Sequence, residues 1–123
     1  MPVIRSLNVL NMKILSLLII FLIAGCGDMC GSELIQESES PNGKLKAVSF
    51  LYNCGATTDF STQVSILDLD EAIDSSGNVF TSKGKNNIRI TWISNNELII
   101  ENTKSLNTYK KEKEFDSVSV TYK

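Results

Sequence analysis

Cysteine is the residue type with the most distinctive chemistry in this chain. There are three cysteines, Cys26, Cys30 and Cys54, and no histidine. Thiolates bind zinc, attack electrophiles or form disulfides. Without histidine, the chain lacks the commonest general base near neutral pH and the commonest metal ligand. The composition therefore favours a protein that is not an enzyme, with no catalytic residue, no cofactor and no metal site.

The segment before Cys26 has the layout of an export signal. Residues 14–24 read ILSLLIIFLIA, an apolar run that follows Lys13 and precedes small residues. A bilayer-spanning helix needs about 20 apolar residues, so this run is short for a transmembrane anchor. The order of charged, apolar and small residues instead predicts a signal helix over 1–25. Met12 is an alternative start, because a complete short signal follows it.

Residues 22–26, LIAGC, resemble the lipobox of bacterial lipoproteins. The resemblance implies cleavage after Gly25 and a diacylglyceryl group on the Cys26 sulfur, often with acylation of the new amine. Each buried methylene adds about 0.8 kcal/mol, so two or three acyl chains anchor stably. We expect a membrane partner through this lipid and a location in the bacterial envelope facing the periplasm. Gly27, rather than Asp, follows the cysteine, which resembles the pattern of enterobacterial lipoproteins that are sorted to the outer membrane. An ordinary secretory signal or an uncleaved helix is the alternative.

If lipid occupies Cys26, Cys30 and Cys54 remain as a pair in a compartment that permits disulfides. A bridge between them would close a loop of about 25 residues and stabilise the fold by roughly 3 to 4 kcal/mol. Two alternatives compete with it. A three-thiolate zinc site loses a ligand to lipidation, and a reactive thiol at Cys54 has no histidine to activate it.

The positions of these residues divide the chain into a signal over 1–25, a lipidated tether over 26–33 and a β domain over 34–123. Within the domain the apolar pattern has a period of two, which is typical of strands. The predicted strands are 45–54, 63–69, 88–93, 98–101 and 118–122. The first of these is apolar on both faces and should be covered on both. Asn42-Gly43 marks a turn just before it.

No sustained helical pattern follows Cys26. We therefore predict an all-β domain behind the N-terminal signal helix: a small antiparallel meander of about six to eight strands, closed as a sandwich or a barrel.

The charge pattern argues against nucleic acid as a partner. The chain has 14 acidic and 12 basic residues, without the basic stripe that phosphate binding needs. Attraction to anionic lipid headgroups is equally unsupported, so membrane association should come from the lipid anchor. Lys110, Lys111 and Lys113 alternate with Glu112 and Glu114, which indicates the solvated face of an edge strand.

The acidic stretch DLDEAIDSSGN contains Asp68, Asp70 and Asp74. It departs from the calcium-binding EF-hand loop, because Ala72 stands at the third ligand position and Ile73 at the required glycine. We interpret it as a connection between strands.

The stretch after Cys54 is rich in small hydroxyl and amide residues and is the candidate binding loop. It could present hydrogen-bonding groups to a protein or glycan partner in the envelope. Equally, its Ser and Thr side chains could bond to the loop's own backbone. The candidate residues are Thr57, Thr58, Asp59, Ser61, Thr62 and Gln63.

Residues 40–67, SPNGKLKAVSFLYNCGATTDFSTQVSIL, resemble the characteristic stretch of a family of small uncharacterised bacterial lipoproteins. In that family an SPDGK turn leads to a strand that ends in CGATTGFSTQVSI. Residues 92–100, WISNNELII, resemble its second segment. Asn42 stands for the usual Asp and Asp59 for the usual Gly. The resemblance implies a domain without known activity.

Two classes of function follow. The favoured one is a lipid-anchored binding or structural module, which includes an inhibitor or immunity-type protein against an envelope-acting enzyme. The other is a histidine-free envelope hydrolase that uses Asp59, or Ser61 with a lysine. The hydrolase lacks a nucleophile motif such as G-x-S-x-G.

Overall fold

The structure of the protein, a computed structural model, describes residues 30–55 and 59–123. The predicted signal helix over 1–25, the lipidation site Cys26 and the loop residues Thr57 and Thr58 lie outside the described residues.

The described chain is all β, as predicted, and neither of its two ranges contains a helix. Accordingly, nothing in these ranges is a helix long and apolar enough to cross a membrane. The nine strands are β1 (Gly31–Glu39), β2 (Leu45–Asn53), β3 (Ser61–Asp68), β4 (Phe80–Lys83), β5 (Arg89–Ser94), β6 (Glu97–Glu101), β7 (Thr108–Lys111), β8 (Glu114–Phe115) and β9 (Val118–Tyr122).

The strands form two sheets and no closed barrel. The first sheet has the order β1-β2-β3-β4-β7, and the second has the order β5-β6-β9-β8. The predicted meander is correct for β1 to β4, because each of these strands pairs antiparallel with the next one along the chain. It is wrong for β6 and β9, which pair parallel. A parallel pair needs a crossover connection, and here the chain adds β7 to the first sheet before it returns through β8.

One hydrophobic core lies between the sheets. Because side chains alternate along a strand, every second residue of the inner strands points into it. The first sheet contributes Ala47, Val64, Ile66 and Phe80, and the second contributes Ile90, Leu98, Ile100, Val118 and Val120. All of these are at most 4 % exposed.

The strand β2 is buried on both faces, which confirms the prediction from its apolar sequence. Ala47 joins the core, whereas Val48 and Phe50 lie on the opposite face and are 2 % and 0 % exposed. On that outer face Phe50 pairs with Gln63 of β3.

The strand β1 begins at Gly31, so residues 31–33 of the predicted tether are part of the sheet. Gln36 in this strand connects the two sheets. Its amide nitrogen donates to the carbonyl of Ile90 at 2.9 Å, and its oxygen accepts the N–H of Ile90 at 3.2 Å. The indole N–H of Trp92 donates to the carbonyl of Ser38 at 2.8 Å.

Candidate functional site

The candidate loop follows a disulfide that closes one end of the first sheet. Gly31 pairs with Asn53 in the register of β1 and β2, and the cysteines stand just outside this pair. The sulfur atoms of Cys30 and Cys54 lie at bonding distance and the Cα atoms are 3.8 Å apart. The disulfide that the cysteine count predicted is therefore present. We call this end of the molecule the Cys30 end.

The loop leads into β3 at the same end, and two of its candidate residues are buried. Thr62 is 0 % exposed. Its hydroxyl donates to the carbonyl of Gly84 at 2.7 Å and accepts the N–H of Asn86 at 2.8 Å. Thr62 therefore stabilises the connection between β4 and β5 and is not available to a partner.

Gln63 is 6 % exposed and also bonds within the chain. Its side-chain oxygen accepts the N–H of Gly77 at 2.6 Å, and its nitrogen donates to the hydroxyl of Ser61 at 2.7 Å. The space around Gly77 is tight, because an added Cβ would lie 2.6 Å from the carbonyl oxygen of Phe80. These contacts hold the connection between β3 and β4 against the sheet.

The outer face of the first sheet carries a cleft beside the loop. Its volume is about 480 Å³. Tyr109 on its wall is 65 % exposed, and the side chain of Lys110 donates to the carbonyl of Gly77 at 3.2 Å. Its described lining consists of Tyr52, Cys54, Asp59, Ser61, Gln63, Ser76, Thr81, Tyr109 and Lys110.

The cleft brings together three of the predicted loop residues, Asp59, Ser61 and Gln63, with residues that the sequence did not single out. Tyr52, Thr81 and Tyr109 come from β2, β4 and β7. The alternation along β2 could have placed Tyr52 on this face. Nothing in the sequence indicates that β7 lies beside β4, so Tyr109 could not have been found.

The groups in the cleft are suited to binding. Two aromatic rings, hydroxyl groups and a carboxylate with a lysine nearby offer stacking surface and hydrogen bonds. Ser61 is poorly placed as a nucleophile. Its hydroxyl donates to the carbonyl of Tyr52 at 3.3 Å, and a backbone carbonyl cannot act as a general base.

The acidic connection after β3 lies at the opposite end of the first sheet. The N–H of Asp68 donates to the carboxylate of Glu71 at 2.9 Å, and the N–H of Glu71 donates to the carbonyl of Asp68 at 3.1 Å. The side-chain hydrogen bond with Glu71, and then the charge of that carboxylate, raise the pKa of Asp68. Over 30–55 and 59–123, no group of three or more metal-ligating side chains comes together.

The fold and the cleft define a class: a small two-sheet β domain closed by one disulfide at the end where its candidate site lies. The chain belongs to a family of unknown function, DUF5412, whose sequence model matches residues 2–118. No curated protein matches it, and no solved structure does. The family match agrees with the expectation of a domain without known activity.

Proposed function

We propose that this protein is a lipid-anchored lipoprotein of the bacterial envelope and that its β domain is a binding module. The anchor would be a diacylglyceryl group on Cys26, after removal of residues 1–25, and the domain would face the periplasm. The lipobox-like LIAGC segment supports this. The cysteine pairing supports it too. Because Cys30 and Cys54 are bonded to each other, Cys26 is the cysteine of the three that remains for the lipid.

Metabolic labelling with an alkyne fatty acid tests the anchor. We expect label and membrane fractionation in the wild type and their loss in Cys26→Ser. Cys54→Ser is the matched control, since it removes a cysteine of the disulfide and should retain the label. If Cys26→Ser is labelled as strongly as the wild type, the protein is not a lipoprotein of this kind. Separation of inner and outer membranes would test the outer membrane, which Gly27 favours.

The cleft beside the disulfide supports a binding function. A tyrosine that is 65 % exposed offers a partner both a ring for contact and a hydroxyl for hydrogen bonding, and tyrosine is enriched at protein interfaces. Tyr109 has this exposure and lies among hydroxyl and amide groups that could fix the orientation of a protein or glycan partner. We infer that the partner contacts Tyr109, Asp59 and Ser61.

Photo-crosslinking in cells tests this assignment. A benzophenone amino acid at position 109 should capture a discrete partner. The same group at position 93 is the control, because Ile93 is 55 % exposed but belongs to the second sheet. An envelope hydrolase among the captured proteins would favour the inhibitor hypothesis, and a loss of that hydrolase's activity on binding would be its test. Equal products from both positions, or none from position 109, would contradict a binding site in the cleft.

A further inference from the structure

The Cys30 end is the end of the domain that a lipid on Cys26 would hold close to the membrane. Cys26 precedes Cys30 by four positions. Even a fully extended chain spans only about 14 Å over that distance. Since Cys30 is bonded to Cys54, the domain cannot move away from the anchor by unpairing the start of β1. This step rests on the lipid anchor proposed above.

An exposed aromatic ring lies at this end. Phe60 is 38 % exposed, and its carbonyl accepts the N–H of Gly84 at 2.8 Å. The ammonium group of Lys85 stands over its ring, 4.2 Å from the centroid. At a membrane surface an aromatic ring can be buried at the boundary between headgroups and acyl chains while a neighbouring lysine reaches lipid phosphate.

The fold brings a further lysine, Lys83, to the same end. The sequence contains no basic stripe, and for that reason it gave no expectation of attraction to lipid headgroups; the strand pairing is what places this lysine at the Cys30 end near Lys85. Lys83 pairs with Ser61 at the end of β4, and its N–H donates to the carbonyl of Asn107 at 2.9 Å. Lys83 and Lys85 are both exposed.

The acidic residues are distributed differently. Glu33 and Asp59 are exposed at the Cys30 end. The opposite end of the first sheet carries the exposed residues Asp68, Asp70 and Glu71. At the Cys30 end of this sheet two lysines, Lys83 and Lys85, balance the carboxylates of Glu33 and Asp59, so the membrane would not meet an excess of carboxylates there.

We propose that the Cys30 end docks on the membrane that holds the anchor, with Phe60 at the headgroup boundary and Lys83 and Lys85 against anionic lipid phosphates. Basic residues are attracted to such a surface within about a Debye length, roughly 8 Å at physiological ionic strength. Docking would fix the height of the cleft above the bilayer, because Asp59 and Ser61 in the cleft adjoin Phe60 in the chain. The partner of the cleft would then be bound beside the membrane.

Depth-dependent fluorescence quenching tests the docking. Full-length lipoprotein carrying Phe60→Trp is reconstituted into vesicles of phosphatidylglycerol and phosphatidylcholine that contain a headgroup-proximal doxyl lipid. Ile93→Trp is the matched control, since position 93 is exposed on the second sheet, and Trp92 gives the same background in both variants. We expect about twofold stronger quenching for Phe60→Trp than for the control. Equal quenching of the two variants would overturn the docking.

A charge comparison separates headgroup attraction from mere proximity. In the Phe60→Trp background, Lys83→Glu with Lys85→Glu should lower the quenching. The expected level is the one that Phe60→Trp itself shows in vesicles whose only phospholipid besides the doxyl lipid is phosphatidylcholine. Lys44→Glu with Lys113→Glu changes the net charge equally at exposed positions outside the Cys30 end and should leave the quenching unchanged. If both pairs act alike, the proposed orientation is wrong.

Mass spectrometry of the reconstituted protein distinguishes this inference from the proposal on which it rests. An acylated Cys26 with an unquenched Trp at position 60 would overturn the docking alone. A protein without lipid on Cys26 would overturn both the anchor and the docking.

Discussion

The hydroxyl of Ser49 is a buried polar group whose removal should not harm the fold. Ser49 lies on the core face of β2, is 0 % exposed and finds no hydrogen-bond partner among the described residues. A buried hydroxyl without a partner costs about 1 to 3 kcal/mol. We therefore expect Ser49→Ala to leave the free energy of unfolding unchanged or to raise it by about 1 kcal/mol. Urea unfolding followed by Trp92 fluorescence measures this.

Thr62 is the matched comparison, because it is equally buried but fully bonded to Gly84 and Asn86. Thr62→Val should lower the free energy of unfolding by about 1 to 3 kcal/mol, since two backbone groups lose their partner. A loss of similar size in Ser49→Ala would show that its hydroxyl has a partner in solution.

Tyr122 should make the fold sensitive to alkali. Its phenol oxygen lies 2.5 Å from the carbonyl oxygen of Glu112 and 3.1 Å from that of Val79. Burial, and then the charge of Glu112, raise the pKa of the phenol. The unfolded chain therefore loses this proton first, near pH 10. The contribution to stability is complete below about pH 10 and declines as the pH rises further.

Unfolding measured between pH 8 and pH 12 tests this. Tyr122→Phe should be less stable than the wild type at pH 8 and should have a flatter decline above pH 10. Tyr109→Phe is the control, because Tyr109 is 65 % exposed, and should follow the wild type. An unchanged alkaline slope in Tyr122→Phe would assign the decline to other groups.

At the scale of the elements, the side chains of Gln36 and Trp92 both connect β1 with β5 by hydrogen bonds. The Gln36 amide pairs with both backbone groups of Ile90, as a neighbouring strand would. Gln36→Leu leaves these two groups unpaired at the edge of the second sheet. We expect a loss of about 1 to 3 kcal/mol in the free energy of unfolding, measured by urea unfolding.

A control variant on the same strand makes this prediction specific. Glu39 is exposed in β1, and Glu39→Gln should change stability by less than about 0.5 kcal/mol. If Gln36→Leu is as stable as Glu39→Gln, the two hydrogen bonds of Gln36 contribute nothing to the free energy of unfolding.

The elements also show where sequence reasoning succeeds. The strand β2 is recognisable because residues 45–53 are apolar on both faces, and β9 because Val118 and Val120 alternate with polar residues. The sequence does not predict β1, GSELIQESE, because an edge strand with polar side chains on both faces has no apolar period. The strand β4 is missed because its four residues are too few for a pattern.

The parallel pairing of β6 and β9 and the position of β7 could not be predicted for a different reason. Alternation gives the face of a side chain but not the identity of the neighbouring strand. The cleft depends on that identity, since Tyr109 reaches it only because β7 pairs with β4. The composition of the loop is enough to predict Asp59 and Ser61 as site residues. The rest of the site depends on the strand order, which the sequence does not reveal.

At the scale of the whole molecule, the disulfide should contribute a large part of the stability and tie the tether to the sheet. A small domain buries little apolar surface, so its net stability is about 5 to 15 kcal/mol at most. The bond between Cys30 and Cys54 spans 24 positions, and restricting the unfolded chain in this way is worth about 3 to 4 kcal/mol. Cys30→Ser with Cys54→Ser should lower the free energy of unfolding by that amount.

Reductant provides an internal check on this prediction. The wild type with dithiothreitol should match the double variant, and the double variant should not respond to the reagent, because it has no disulfide left to reduce. The same treatment should weaken the quenching of Phe60→Trp, since the start of β1 then separates from β2 more easily and the domain is held less closely to its anchor. If reduced and oxidised wild type unfold at the same urea concentration, the fold is sustained by its core alone, and the disulfide serves only to fix the domain to the tether.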